Sequence, residues 1–125
     1  LIPIIEPEVD IHADDKADIE SLLRAALLNE LNALTADQTV MLKLTLPSQT
    51  NFYYSCISHS KVLRVVALSG GYNRSEANQK LTANQGMIAS FSRALTEGLR
   101  HQLNDIEFNQ QLDNSIEAIF LASQT

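Results

Sequence analysis

Apolar residues recur along this chain in two patterns, one with the two-residue period of strands and one with the spacing of helices. Residues 40–46 have the sequence VMLKLTL, a strand of apolar residues on both faces with one lysine among them. Val62–Leu68 and residues 87–91 are further apolar runs of strand length. Residues 1–8 predict a first strand, whose pairing is irregular near its end because its two prolines cannot donate to a ladder.

Segments with helical periodicity follow these strands. The strongest covers residues 15–34, with aspartates at its start, where negative charge favours a helix. A short helical stretch is predicted over residues 51–59, and residues 75–83 predict a helix with Ser75 as a candidate N-cap. Residues 93–103 and Asp105–Ala122 predict two more helices.

Strands that alternate with helices indicate βα units and a parallel sheet, and therefore an α/β fold. Four such units form either half of a (β/α)8 TIM barrel or a small open, doubly wound sheet. Both architectures bind ligands at the carboxyl ends of their strands, so this pattern alone does not separate them. A length of 125 residues predicts a single unit, residues 1–125.

Composition excludes several functional classes. The chain is 45% hydrophobic and 19% charged with a net charge of −6, so no basic surface is expected to bind nucleic acid or an anionic membrane. Without an apolar segment of membrane-spanning length, the cytoplasm is the expected location. A single cysteine, Cys56, and scattered histidines, His12, His59 and His101, predict no disulfide framework, no metal site and no cofactor.

Lys43 is the lone charge within the second predicted strand. Alternation places it with Met41 and Thr45, facing a space expected to be mostly apolar. Desolvation disfavours the charged ammonium, so an amine held there can attack a carbonyl. The alternative is a structural role, in which the amine extends to the strand end or pairs with a carboxylate.

Glu6 and Glu8 fall on one face at the end of the first predicted strand. If that strand neighbours the second, their carboxylates face Lys43. Imine formation needs a nucleophilic amine with an acid/base group beside it, which this arrangement supplies. A solvated acidic strand end without chemistry is the alternative.

The third and fourth strands end in residues suited to an anion. Ser69, Gly70 and Gly71 allow the backbone to approach a ligand and present N–H groups, although two glycines after a strand often form only a turn. Arg93 follows the fourth strand, where its guanidinium could bind a phosphate or simply lie at the surface.

Four segments taken together, in this order and spacing, resemble the second half of a class I fructose-bisphosphate aldolase of bacterial type. They are residues 3–8 (PIIEPE), residues 41–43 (MLK), residues 68–71 (LSGG) and residues 90–95 (SFSRAL). The resemblance runs along essentially the whole chain. It implies the C-terminal half of a (β/α)8 TIM barrel, and a metal-independent lyase of glycolysis that cleaves fructose 1,6-bisphosphate.

By this resemblance, Lys43 is the Schiff-base nucleophile, Glu6 the principal acid/base, and Glu8 a neighbour that orients and tunes the lysine. The phosphate of the dihydroxyacetone-phosphate end is assigned to Ser69, Gly70 and Arg93 above all, within the set Ser69, Gly70, Gly71, Ser90, Ser92 and Arg93. Ser92 replaces a glycine of the animal enzymes, so the backbone there is expected to approach less closely.

The resemblance also implies binding partners, and alternative functions stand beside it. The chain begins directly on a strand pattern, which predicts a fragment of a larger chain. The residues for carbon–carbon cleavage and for the second phosphate belong to the first half of the family's barrel. A phosphorylated ketose and a missing N-terminal half-barrel, or self-association, are therefore the expected partners. The alternatives are an inactive half-barrel scaffold, a non-catalytic sugar-phosphate binding module, and a Schiff-base aldolase for another phosphorylated ketose.

Overall fold

One four-stranded parallel sheet organises the protein, for which the computed structural model describes residues 1–125. The strands are β1 (Ile4–Ile5), β2 (Val40–Thr45), β3 (Val62–Leu68) and β4 (Met87–Ala89). Their order in the sheet is β1-β2-β3-β4, the same as their order in the chain. Each connection therefore advances by one strand, and all four carboxyl ends meet at one edge of the sheet.

Five helices connect or follow the strands. They are α1 (Lys16–Ala33), α2 (Tyr54–Ile57), α3 (Arg74–Thr82), α4 (Arg93–Thr96) and α5 (Asp105–Ala122). The bounds of α1 and α5 agree with the apolar periodicity to within a residue or two. None of the helices has the length and the apolar character needed to cross a bilayer.

The strand order separates the two architectures that the pattern had left open. In a doubly wound sheet the strand order reverses at a switch point, and helices cover both faces. Here the order does not reverse. The predicted α/β fold with four parallel strands is confirmed, and its arrangement is that of half a barrel.

The core lies between the helices and one face of the sheet. Its strand residues point to this face in alternation, as the predicted pattern requires, and include Leu42, Leu44, Val65, Ala67 and Met87. Side chains of all five helices join the same buried cluster. The opposite face of the sheet, which carries Lys43, is the face available to a ligand.

The first strand is shorter than predicted, with two residues instead of eight. Pro3 and Pro7 have no N–H to donate, so the parallel ladder is confined to Ile4, Ile5 and the carbonyl of Pro3, which accepts from Met41 N at 2.9 Å. Glu6 and Glu8 therefore lie on an irregular segment beyond β1.

Two helix predictions also need correction. The helix predicted over residues 93–103 ends at Thr96, because Glu97 is extended and Gly98 has a φ of 88°. The cap of α3 is Asn73, not Ser75: Asn73 accepts from Glu76 N at 2.9 Å and its own N–H donates to the Glu76 carboxylate. Asparagine with a glutamate three residues later forms a capping box, which outcompetes a serine already inside the helix.

Candidate active site

A cavity of about 180 Å³ opens at the carboxyl ends of the strands. Eight of the nine residues proposed from the sequence line it, and Gly71 is the exception. Leu68 is the one hydrophobic lining residue. The lining residues are Glu6, Glu8, Lys43, Leu68, Ser69, Gly70, Ser90, Ser92 and Arg93.

Lys43 on β2 and Glu6, directly after β1, form an ion pair in which Lys43 Nζ donates to Glu6 Oε2 at 2.9 Å. Sheet register explains the contact. Ile5 pairs with Leu42, so Glu6 and Lys43, the residues that follow them, lie side by side. The Lys43 side chain is 27% exposed and that of Glu6 is 51% exposed. The amine is thus partly accessible to a ligand and already in contact with a proton acceptor.

The surroundings of Lys43 differ from the sequence prediction. A mostly apolar space was expected, but this chain supplies a polar cavity in which one lining residue is hydrophobic. The prediction was wrong because alternation along one strand does not show what neighbouring loops contribute. By register, Val66 and Ile88 lie level with Lys43 on the next two strands, so apolar residues occur beside it within the sheet.

Gly70 and Gly71 follow β3 and both have positive φ angles, 61° and 111°. A Cβ on Gly70 would lie 3.0 Å from Ile11 Cγ2 and 3.3 Å from Thr45 Cγ2, so a larger residue would displace its neighbours. Ser69 is buried. The turn is therefore fixed both by backbone conformation and by close packing.

Ser90, Ser92 and Arg93 come from the end of β4 and the start of α4. Ser90 N donates to Ala67 O at 2.7 Å, which extends the β3–β4 ladder and brings Ser90 level with Leu68. Arg93 is exposed and belongs to neither of the two ion pairs in the chain. Its guanidinium is free to bind an anion in the cavity.

Arg74 lies away from the cavity, although the sequence placed it just after the glycine turn. Its guanidinium donates to Ser115 Oγ at 2.7 Å and to Glu97 O at 3.0 Å, and its N–H donates to the Glu97 carboxylate. Arg74 therefore joins α3 to α4 and α5 and does not line the site.

Sequence reasoning missed three polar residues that are buried near the carboxyl end of β2. Lys16 and Glu20 form a buried ion pair, in which Lys16 also donates to Leu46 O at 3.0 Å and Glu20 accepts from Ser48 N at 3.1 Å. Thr45 bonds to the backbone of Val9. The (i, i+4) spacing of Lys16 and Glu20 was visible in the sequence, but their bonds to the loop after β2 were not.

The remaining reactive side chains do not suggest a different chemistry. Cys56 is buried, and burial raises the pKa of its thiol, so it is a poor nucleophile at neutral pH. No three His, Cys, Asp or Glu side chains are grouped so as to hold a metal ion.

Comparison with curated proteins connects this geometry to a family. The chain is 63% identical over all 125 of its residues to a protein of Synechocystis sp. named class 1 fructose-bisphosphate aldolase. It is 54% identical over 123 residues to a protein of the same name from Porphyromonas gingivalis. The chain is homologous along its length to class I fructose-bisphosphate aldolases. The predicted resemblance is thereby confirmed.

The match to these aldolases concerns part of their length. The chain spans 42% of the Synechocystis protein and 41% of the Porphyromonas protein. No protein-family model matches the chain. The aldolases named here also contain residues outside the segment that this chain matches. The comparison therefore shows homology of this segment and leaves the activity of a whole enzyme to be proposed separately.

Proposed function

We propose that the chain is the second half of the barrel of a class I fructose-bisphosphate aldolase, a metal-independent lyase of the cytoplasm. The enzyme would cleave fructose 1,6-bisphosphate reversibly into dihydroxyacetone phosphate and glyceraldehyde 3-phosphate. The observation that carries this proposal is the contact of Lys43 Nζ with Glu6 Oε2 at 2.9 Å, inside a cavity that also holds Arg93 and the serine-glycine turn. The homology to named aldolases supports the same conclusion.

Lys43 acts as the nucleophile. Its neutral amine attacks the ketone carbon of the substrate, and the carbonyl oxygen takes up a proton to give a carbinolamine. Loss of that oxygen as water leaves a protonated imine. Its positive charge then accepts the electron pair of the breaking C3–C4 bond and forms an enamine, while the C4 hydroxyl gives its proton to a base in the other half of the barrel and becomes the aldehyde.

Glu6 moves the protons of these steps. Its carboxylate already accepts a hydrogen bond from Nζ, so it can take the proton that the ammonium must lose before attack. The same carboxyl group then returns a proton to the departing oxygen. Glu8 lines the same cavity without bonding to Lys43.

The phosphate of the ketose lies at the other end of the cavity. Arg93 supplies the positive charge, Ser69, Ser90 and Ser92 supply hydroxyl groups, and Gly70 and Gly71 allow the backbone of the turn to approach the anion. Binding of the phosphate to Arg93 at this end fixes the position of the ketone carbon relative to Lys43.

Substitution Arg93→Ala is expected to raise KM for the phosphorylated ketose by about 10- to 100-fold, since hydrogen bonds to charged groups contribute about 1.5–3 kcal/mol. The effect on kcat should be smaller because Arg93 does not touch Lys43. Initial-rate kinetics check this, with Arg100→Ala, a surface arginine outside the cavity, as the matched control. An unchanged KM in the Arg93 variant would remove this residue from the phosphate site.

Covalent trapping tests the function itself. In the full-length enzyme, borohydride with dihydroxyacetone phosphate is expected to add one reduced adduct, located by mass spectrometry on the peptide that contains Lys43. Lys16, Lys61 and Lys80 serve as internal controls within the same chain. An adduct on one of these, with Lys43 unmodified, would defeat the assignment.

The same experiment addresses the alternative of an inactive scaffold that needs its missing half. Apolar grooves flank both outer strands, one of about 350 Å³ between α1 and the β1–β2 edge and one of about 560 Å³ between α5 and β4. We propose that the remainder of the longer chain covers them, since open sheet edges and apolar surfaces favour association. Trapping in the full-length enzyme but not in the 125-residue chain would show that this half alone is inactive.

A further inference from the structure

We propose that Thr45 is a positioning residue, which holds the segment bearing Glu6 and Glu8 against the strand that carries Lys43. The inference rests on the proposed function, because it concerns how the acid/base group is kept beside the amine. Thr45 follows Lys43 by two residues on β2 and so lies on the same face of the sheet, one level nearer the carboxyl edge.

The hydroxyl of Thr45 makes two hydrogen bonds to one residue. It accepts from Val9 N at 2.9 Å and donates to Val9 O at 3.1 Å. Both residues are buried, with Thr45 1% and Val9 4% exposed. The Thr45 hydroxyl thus takes the place that the backbone of a neighbouring strand would have in a ladder. It satisfies the N–H and the C=O of Val9, which would otherwise be buried without hydrogen-bond partners.

The segment before Val9 has little else to fix it. The ladder of β1 ends at Ile5, and Pro7 has no N–H to donate. Outside that ladder, the two bonds to Thr45 are the only backbone hydrogen bonds of residues 6–9. The position of Glu6 is therefore set on one side by the ladder at Ile5 and the contact with Lys43, and on the other by the bonds of Val9 to Thr45.

The methyl group of Thr45 packs against the glycine turn that borders the cavity. Its Cγ2 lies 3.3 Å from the position of a Cβ on Gly70, and Ile11, two residues after Val9, packs on the same glycine. Thr45 thus contacts both the acid-bearing segment and the glycine turn. Its hydroxyl and its methyl group can be tested separately.

Two substitutions separate these contacts in the full-length enzyme. Thr45→Val keeps the methyl packing and removes both hydrogen bonds, and we expect kcat to fall by about 10- to 100-fold, because a misplacement of 1 Å can cost about 10²-fold. Thr45→Ser keeps the hydroxyl and should retain kcat close to that of the unsubstituted enzyme. KM should change little in the valine variant, since the residues assigned to the phosphate keep their neighbours.

A readout specific to positioning is the pH dependence of kcat. Its acidic limb, which reports the proton-transfer group, should move in Thr45→Val and stay in place in Thr45→Ser. Leu31→Ala is the stability control, because Leu31 is buried near the end of α1 and does not line the cavity. This control should lower thermal stability without moving the profile.

The outcomes distinguish the two proposals. Equal kcat and pH profiles in the valine variant and the unsubstituted enzyme would overturn the role of Thr45, while an adduct on Lys43 in both would leave the aldolase proposal intact. An unsubstituted enzyme that forms no adduct on Lys43 would overturn the proposed function instead. If Thr45→Val does not fold, Thr45→Ala is made and compared with Thr45→Ser. These two variants differ by one hydroxyl oxygen, and equal kcat in the pair contradicts the inference.

Discussion

Lys43→Ala is expected to reduce kcat for fructose 1,6-bisphosphate by at least about 10⁴-fold and to abolish borohydride trapping, because it removes the amine that forms the imine. Lys43 is the only lysine that lines the cavity, and its amine is the only one in contact with a carboxylate there. Alanine also removes the partner of Glu6. The measurement is the rate of ketose cleavage by the full-length enzyme, together with the mass of the reduced product.

Two further lysine variants make this result specific. Lys43→Arg keeps a positive charge beside Glu6 but has no amine that can lose its proton, so it should be as inactive as the alanine variant. Lys61→Ala removes a lysine that donates to Thr35 O at the opposite end of the sheet, and it should retain full activity. Substantial turnover by Lys43→Arg would contradict a Schiff-base mechanism.

Much of the fold was predictable because its strongest signals are local. Val62–Leu68 is apolar except for Arg64, is bounded by polar turns, and forms β3 with those bounds. Asp105–Ala122 begins with Asn104 as its cap and forms α5 with the predicted bounds. Both elements are set by their own sequence, so neighbouring elements had little influence on where they begin and end.

The first strand and the helix after Arg93 were harder to predict, since their bounds depend on backbone features that override apolar periodicity. The prolines at positions 3 and 7 limit β1 to two residues, and Gly98, with its positive φ, ends α4 early. These breakers were present in the sequence, but their effect depends on the neighbouring strand and on the turn that follows.

The residues that line the candidate site were more predictable than the polar character of the cavity and the contacts that support it. In a parallel sheet the carboxyl ends meet, so residues at four strand ends gather around one cavity whatever their separation in the chain. The polar character of that cavity and the support from Thr45 were not predictable in this way. Thr45 bonds to a residue 36 positions away, and no local pattern indicates such a partner. The roles assigned to the lining residues stay predictions.

Glu6→Gln is expected to lower kcat by about 10²- to 10⁴-fold, the range over which a positioned acid/base group contributes. Glutamine keeps the shape of the side chain and can still accept a hydrogen bond from Lys43, but it cannot take up the proton. KM for the ketose should change little, because Arg93 and the serine-glycine turn are unaltered. The rate of imine formation, followed by timed borohydride quenching, should fall together with kcat.

Glu8→Gln is the matched control, since it removes the same charge from the same cavity. Glu8 makes no hydrogen bond to Lys43, whereas Glu6 Oε2 lies 2.9 Å from Nζ, so the glutamine variant at position 8 should lose much less activity. A greater loss at position 8 than at position 6 would reassign the proton transfer to Glu8. Because both carboxylates line the cavity and only Glu6 bonds to the amine, this comparison tests whether direct contact with Lys43 decides which of them moves the proton.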